Sequence, residues 1–209
     1  MMLFRAQLCA QVLWFAVTGL VLGGGVPALA QNASGDRAGV ATNTVMPKVG
    51  YRLDIRLSEL PAPVARVSAW AQYAVSNAEC VPVDQMRAPG GLRLPPEERK
   101  DLALELLDGA YFTTVYEDAL VDRDLFGLGV CRWALQSVTV AFASAATKFV
   151  GGATVEQLRS GAPTTKYYLV RDFRERPAVG DQVFGEAPGF YKKSLGAQFS
   201  LTIASRLLQ

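Results

Sequence analysis

The chain has 209 residues, with 21 Lys and Arg against 19 Asp and Glu for a net charge of +2, and no histidine. Its length suits one ordinary domain, and a hydrophobic share of 50% with only 19% charged residues supplies a core and excludes the composition of a disordered chain. Without histidine, Ser-His-Asp and Cys-His catalysis, histidine metal ligation and histidine pH sensing are all excluded.

The first 30 residues run from Arg5 through an apolar stretch (Leu13, Trp14, Phe15, Val17, Leu20, Val21, Leu22) to Gly23-Gly24-Gly25, Pro27 and Ala28-Leu29-Ala30. Basic start, apolar middle and small residues before a cut are the order of a signal peptide, with cleavage expected between Ala30 and Gln31. A membrane anchor would need about 20 consecutive apolar residues. Here Gln7 and Gln11 bound the run on one side and the triple glycine ends it on the other, so no stable membrane insertion is expected after cleavage. Cys9 follows Leu8 and precedes the apolar run, which is not a lipoprotein arrangement. Cleavage takes away 30 residues and one arginine, leaving 179 residues at +1. A nearly neutral chain argues against nucleic acid. Two cysteines remain, Cys80 and Cys131, and export to an oxidising compartment predicts that they bond to each other. A C-x-x-C pair, which redox catalysis would favour, is absent.

Residues 31–48 are small and polar without a period and read as a flexible lead, so the single domain is expected over 49–209. Val49, Tyr51, Leu53, Ile55 and Leu57 alternate with Gly50, Arg52, Asp54, Arg56 and Ser58, the period of a half-buried strand. After Pro61 and Pro63, residues 64–76 alternate again, with Val67, Ala69, Ala71, Tyr73 and Val75 on one face and Trp70 on the other. Apolar groups on both faces suggest a central strand or a bend that switches faces. Residues 84–100 read as a loop, from Pro89, Gly90, Gly91, Pro95, Pro96 and the charged run Glu97 to Asp101, with room for a helical turn after the prolines. Residues 101–107 and 110–116 flank Asp108-Gly109 and read as a β-hairpin, since that dipeptide tolerates the positive φ of a tight turn. A strand is predicted over 130–142 with a return near Phe149. Thr154 and Gln157 have capping-box spacing for a short helix. Residues 166–173 read as a strand, 176–197 have no clear period, and Phe199, Leu201 and Ile203 predict a closing strand.

The fold class expected is all-β with minor helix, an antiparallel β-sandwich, Ig-like in architecture, with one disulfide. The antibody framework itself is not matched: Trp133 follows Cys131 instead of preceding it, and Gly129 stands where that framework has tyrosine.

For chemistry, the densest polar cluster is Glu117, Asp118, Asp122, Arg123 and Asp124. Asp118, Asp122 and Asp124 are candidate calcium ligands, because calcium takes several oxygens at flexible geometry. An EF-hand is excluded: with Asp122 first and Asp124 third, the fifth position is Phe126 and the twelfth Trp133. The plainer reading is a loop whose aspartates cap turns. Glu105, Glu117 and Asp118 could supply the paired carboxylates of a glycosidase, which needs no histidine. S-x-x-K, G-x-S-x-G, G-x-x-x-x-G-K-[ST] and G-x-G-x-x-G are all absent. No catalytic residue and no cofactor is therefore predicted, and the chain is read as a non-enzyme. Residues 166–176 interleave aromatic and basic groups, with Tyr191 and Lys192 adding more, so Tyr167, Arg171, Arg174 and Lys192 are a candidate partner surface. A strand with a solvated charged face would look the same.

The segments Tyr73-Ala74-Val75-Ser76-Asn77-Ala78-Glu79-Cys80-Val81-Pro82 and Asp122-Arg123-Asp124-Leu125-Phe126-Gly127-Leu128-Gly129-Val130-Cys131-Arg132-Trp133, with Tyr116-Glu117-Asp118, resemble a group of exported Gram-negative bacterial proteins. The pattern is Y-x-V-x-N-x-x-C-V-P followed by D-x-D-x-F-G-x-G-V-C-x-W, over about a third of the mature chain. The resemblance implies a periplasmic location and a Cys80 to Cys131 bridge, and carries no assigned activity. Together these readings predict a periplasmic or secreted non-catalytic binding protein with a protein partner, such as an envelope immunity or accessory protein. The alternatives are an apolar-ligand carrier and a carboxylate-dependent cell-wall glycan hydrolase.

Overall fold

The computed structural model describes residues 41–84, 91–145, 147–175, 182–192 and 195–208. The expected signal peptide over 1–30, its cleavage site, residues 31–40 of the lead and Pro89-Gly90 lie outside the described residues. The strands are β1 (Gly50–Ser58), β2 (Arg66–Val75), β3 (Val83–Asp84), β4 (Leu92–Arg93), β5 (Glu97–Leu102), β6 (Glu105–Leu107), β7 (Ala110–Tyr116), β8 (Arg123–Asp124), β9 (Val130–Cys131), β10 (Trp133–Ala143), β11 (Lys148–Thr154), β12 (Thr164–Leu169), β13 (Gln182–Phe184) and β14 (Gln198–Leu207). Two helical turns, α1 (Val155–Ser160) and α2 (Val170–Arg174), follow β11 and β12.

Two five-stranded sheets make an all-β sandwich, in the orders β12-β14-β1-β7-β6 and β13-β11-β10-β2-β5. Pairing is antiparallel throughout both sheets except between β11 and β13. The period-2 runs read from the sequence form the inner faces. Leu53 and Ile55 of β1, Ala71 and Tyr73 of β2, Val138 and Val140 of β10, and Leu201 and Ile203 of β14 are all buried in one core. Aromatic rings join the sheets at one end: Phe149 of β11 meets Phe199 of β14 edge-on at 5.2 Å and Tyr168 of β12 at 5.4 Å, while Phe142 of β10 stacks on Phe149 at 5.2 Å. Apolar surface from both sheets is thereby removed from water, the main favourable term in folding.

The disulfide joins Cys80, in a 3-10 turn just beyond β2, to Cys131 of β9, with Cα atoms 5.3 Å apart. Val75 of β2 already pairs with Trp133 of β10, and Ser76 N–H donates to Arg132 O at 2.8 Å. The bond therefore ties the two chain segments just beyond the end of the β2–β10 ladder, unlike the inter-sheet bridge of antibody domains.

Four readings are corrected. The charged run Glu97 to Asp101, read as loop, belongs to β5, which pairs with β2 from Ala69↔Leu102 to Ala74↔Glu97. An edge strand needs only one row of backbone partners and its side chains stay in water, so charge does not oppose it and guards the free edge. Arg99 there covers the outer face of Trp70 at 3.9 Å, which is how a core strand tolerates tryptophan on its outer side. Next, the segment 101–107 is not one hairpin arm. Asp101 and Leu102 stay in the β5 sheet, the chain crosses at Ala103 and Leu104, and only Glu105–Leu107 pairs with β7. The Asp108-Gly109 turn itself forms as expected, with φ of 50° and 77°. Third, the strand read over 166–173 stops at Leu169. Helical spacing lets Val170 and Phe173 both reach the core, where strand alternation would send them to opposite faces. Finally, the lead is not free throughout. Thr44 N–H donates to Ala119 O and Val121 N–H to Thr42 O, so residues 42–44 are bound to the domain. The helix cap is as read: Gln157 N–H donates to Thr154 Oγ1 at 3.4 Å and Thr154 N–H to Gln157 Oε1 at 2.9 Å.

Candidate functional site

Where β7 ends, the chain turns through Glu117 to Asp122 and meets three other segments: the strap 42–49, the start of β10 and helix α1. Between them lies an open groove of about 570 Å³, within the usual range for ligand sites. Val49, Leu120, Trp133 and Leu135 give it apolar surface, and Glu117, Asp118, Asp122 and Arg159 give it charge.

Each charged group is fixed by a different device. Glu117 accepts from the Tyr51 hydroxyl at 2.6 Å, and Arg159 closes a bidentate fork on it, with Nε 2.9 Å from Oε1. The Arg159 bond holds the Glu117 carboxyl below its ordinary range, against burial that would raise it, with Tyr51 assisting. Asp118 clamps the strap: Lys48 N–H donates to both its oxygens (3.1 and 2.8 Å) and Val49 N–H to Oδ1 (3.1 Å). Asp122 Oδ1 accepts from Trp133 N–H at 2.9 Å and so sets the start of β10. The strap is also held by an ion–dipole contact from Lys100 Nζ to Asn43 Oδ1. On its far side a second depression of about 270 Å³ is lined by Pro47, Tyr73, Leu102 and Tyr116. The Trp133 indole N–H is buried beside the groove and has no hydrogen-bond partner among the described residues.

Asp124 lies outside the groove and orders its own loop. Its Oδ1 accepts from the N–H groups of Phe126, Gly127 and Leu128 (3.1, 2.6 and 3.2 Å), and Oδ2 accepts from Gly129 at 3.3 Å. Desolvation is the largest single influence and raises its carboxyl, but the four N–H bonds together outweigh it and hold the group below the ordinary value. Asp118, Asp122 and Asp124 thus serve three separate pieces of main chain, and the structure does not gather them as calcium ligands. Among the described residues no group of three or more acidic or cysteine side chains could hold a metal ion.

Of the carboxylates weighed for hydrolysis, Glu117 and Asp118 share the groove, whereas Glu105 lies on β6 opposite Phe112. A glycosidase acid needs a raised pKa, and Glu117 is held the other way.

The expected partner surface is only partly assembled. Tyr167 is tied by its main chain to Glu186, N–H to O at 2.9 Å and the reverse at 3.0 Å. Arg171 and Arg174 are exposed on α2, and Lys192 is exposed on a separate loop. Arg171 pairs with Asp172 at 3.6 Å. The nearby Tyr191 hydroxyl is pushed up by burial and by Glu186 and Asp172, with Arg171 opposing. Acids are interleaved with the bases, so the patch has mixed charge.

Sequence reasoning found Glu117, Asp118 and Asp122 and missed Tyr51, Arg159 and the strap. The capping box gave α1 but not what Arg159 would meet, 42 residues from Glu117. Among the described residues no helix is long and apolar enough to cross a membrane. No protein-family model, curated protein or solved structure matches the chain.

Proposed function

We propose that this is an exported, periplasmic binding protein that acts without catalysis, holding a protein partner at the Glu117–Trp133 groove, in the manner of an envelope immunity or accessory protein. The observation that carries the reading is the pinning of Glu117 between Tyr51 and Arg159. The Arg159 fork favours the ionised form of Glu117, which suits a fixed charge better than a general acid that must carry a proton. A fixed charge beside apolar surface suits recognition, because little ordering entropy remains to be lost on binding. An interior carrier is less well supported, since rings of Phe142, Phe149, Tyr168 and Phe199 occupy one end of the space between the sheets, with centroids 5.1–6.2 Å apart.

The test is site-specific photocrosslinking in the native envelope. A photoreactive residue at Val121, in the groove, is compared with one at Phe184, exposed on β13. A single protein captured from position 121 and not from 184, and lost in Arg159→Gln, is the expected result. No adduct at 121, or the same adducts from both positions, overturns the proposal.

A further inference from the structure

The outer face of the β12-β14-β1-β7-β6 sheet carries a feature that the groove does not use. Alternation buries Tyr51, Leu53 and Ile55, so Arg52, Asp54 and Arg56 point outward from β1. On β14 the buried Phe199, Leu201 and Ile203 leave Ala204 and Arg206 outward, and on β7 Phe112 and Thr114 face the same way. Register sets Arg52 directly opposite Arg206, and Asp54 opposite Ala204. Facing side chains in an antiparallel pair have Cβ atoms about 4.5–5.5 Å apart, and like charges there repel. Asp54, the carboxylate on the same face of β1, is engaged by Arg56, Nε to Oδ1 at 3.0 Å and a terminal nitrogen to Oδ2 at 2.9 Å. Arg52 lies over the Phe112 ring at 5.1 Å, which fixes its guanidinium. Among the described residues neither Arg52 nor Arg206 forms an ion pair. Glu105 lines the adjoining depression, with Arg52 and Phe112.

Between the two arginines is a depression of about 230 Å³, lined also by Asp54, Phe112, Ala204 and Ser205. The small Ala204 side chain leaves this space open. We propose that it is a binding site for a phosphate monoester group, gripped by Arg52 from β1 and Arg206 from β14. A planar carboxylate is satisfied by one guanidinium fork, whereas two forks from opposite strands suit a tetrahedral oxyanion with three free oxygens. Its charge of about −1.5 to −2 matches two guanidiniums. The volume lies below that of sites for whole drug-sized ligands and fits a phosphate with the first part of its substituent. Empty, the site is self-repelling; filled, it is balanced. It shares no residue with the groove and is independent of the proposed function.

The test is an NMR titration of the ¹⁵N-labelled, oxidised mature chain in phosphate-free buffer, with inorganic phosphate and with glucose 6-phosphate, ionic strength held constant with NaCl. Expected are saturable shifts at residues 52, 112, 204 and 206 with a Kd on the order of millimolar. Arg206→Gln weakens binding about tenfold or more and, relieved of repulsion, melts no lower than the parent protein without phosphate. Arg132→Gln, an exposed arginine outside this face, leaves binding unchanged. Tighter binding of the sugar ester than of the free ion assigns the site to an ester; the reverse assigns it to phosphate alone and overturns the monoester proposal. Shifts that do not saturate, shifts equal at all exposed arginines, or unchanged binding in Arg206→Gln overturn the site itself.

Discussion

Replacing Phe149 by alanine tests the claim that the sheets are held together by their aromatic end. Phe149 is fully buried on β11 and touches four rings: Phe142 at 5.2 Å, Phe199 at 5.2 Å, Tyr168 at 5.4 Å and Phe173 at 5.8 Å. Tyr168 and Phe199 belong to the opposite sheet, and Phe173 to α2. A buried Phe→Ala change costs about 3–5 kcal/mol, the lost transfer energy plus the cavity left behind. Aromatic pairs add about 0.5–1.5 kcal/mol beyond their area. The surrounding rings are rigid and collapse poorly into the space, so the upper end applies, about 4–5 kcal/mol. For a domain of this size each kcal/mol is worth about 2–4 °C, giving a fall in melting temperature of about 8–20 °C. Phe149→Leu keeps much of the volume and loses about 1–2 kcal/mol. Urea unfolding followed by tryptophan fluorescence measures both variants, with unchanged m-values confirming that the same surface is exposed. A loss below about 2 kcal/mol for the alanine variant would refute the argument, because it would mean that the ring neither fills its space nor couples the sheets.

Two tyrosines offer a contrast, since Tyr73 donates to Tyr116 O at 2.6 Å while the buried Tyr168 hydroxyl has no hydrogen-bond partner among the described residues. Tyr73→Phe should cost about 1–1.5 kcal/mol and Tyr168→Phe should be neutral or stabilising by up to about 1 kcal/mol in the same urea assay; equal losses would contradict it. Because the Glu117 carboxyl lies below its ordinary value of 4.5 in the folded protein, its contribution to stability is complete above that pH and is lost as pH falls through the depressed value. Glu117→Gln should therefore flatten the acid side of the stability curve, and parallel curves for the two proteins would disprove the pinning. Replacing both Cys80 and Cys131 by alanine should cost about 4 kcal/mol in the chain-entropy account, for a separation of 51 residues. A loss under about 1 kcal/mol, measured by denaturation in oxidising buffer, would show that the unfolded chain is already constrained.

Periodicity alone determined the inner faces: the alternations through Leu53 and Ile55, through Ala71 and Tyr73, and through Leu201 and Ile203 can be buried in only one way once the strand is extended. Local chemistry likewise determined the Asp108-Gly109 turn and the Thr154 cap, because their hydrogen bonds and dihedrals are made within a few residues. With one cysteine ahead of the expected cleavage site, counting was enough to pair the other two. Tertiary structure decided the rest. Glu97 to Leu102 carries no strand pattern and becomes a strand only because β2 offers it an unpaired edge. Val170 to Phe173 continues the β12 segment in sequence yet turns helical, because the three-residue spacing then brings both apolar ends onto the core. Both candidate sites belong to this second class. The residues of the Glu117–Arg159 pair lie 42 positions apart, and Arg52 and Arg206 meet only through the register of β1 against β14. No local propensity encodes such meetings, since they depend on which strands become neighbours after the apolar faces have found each other.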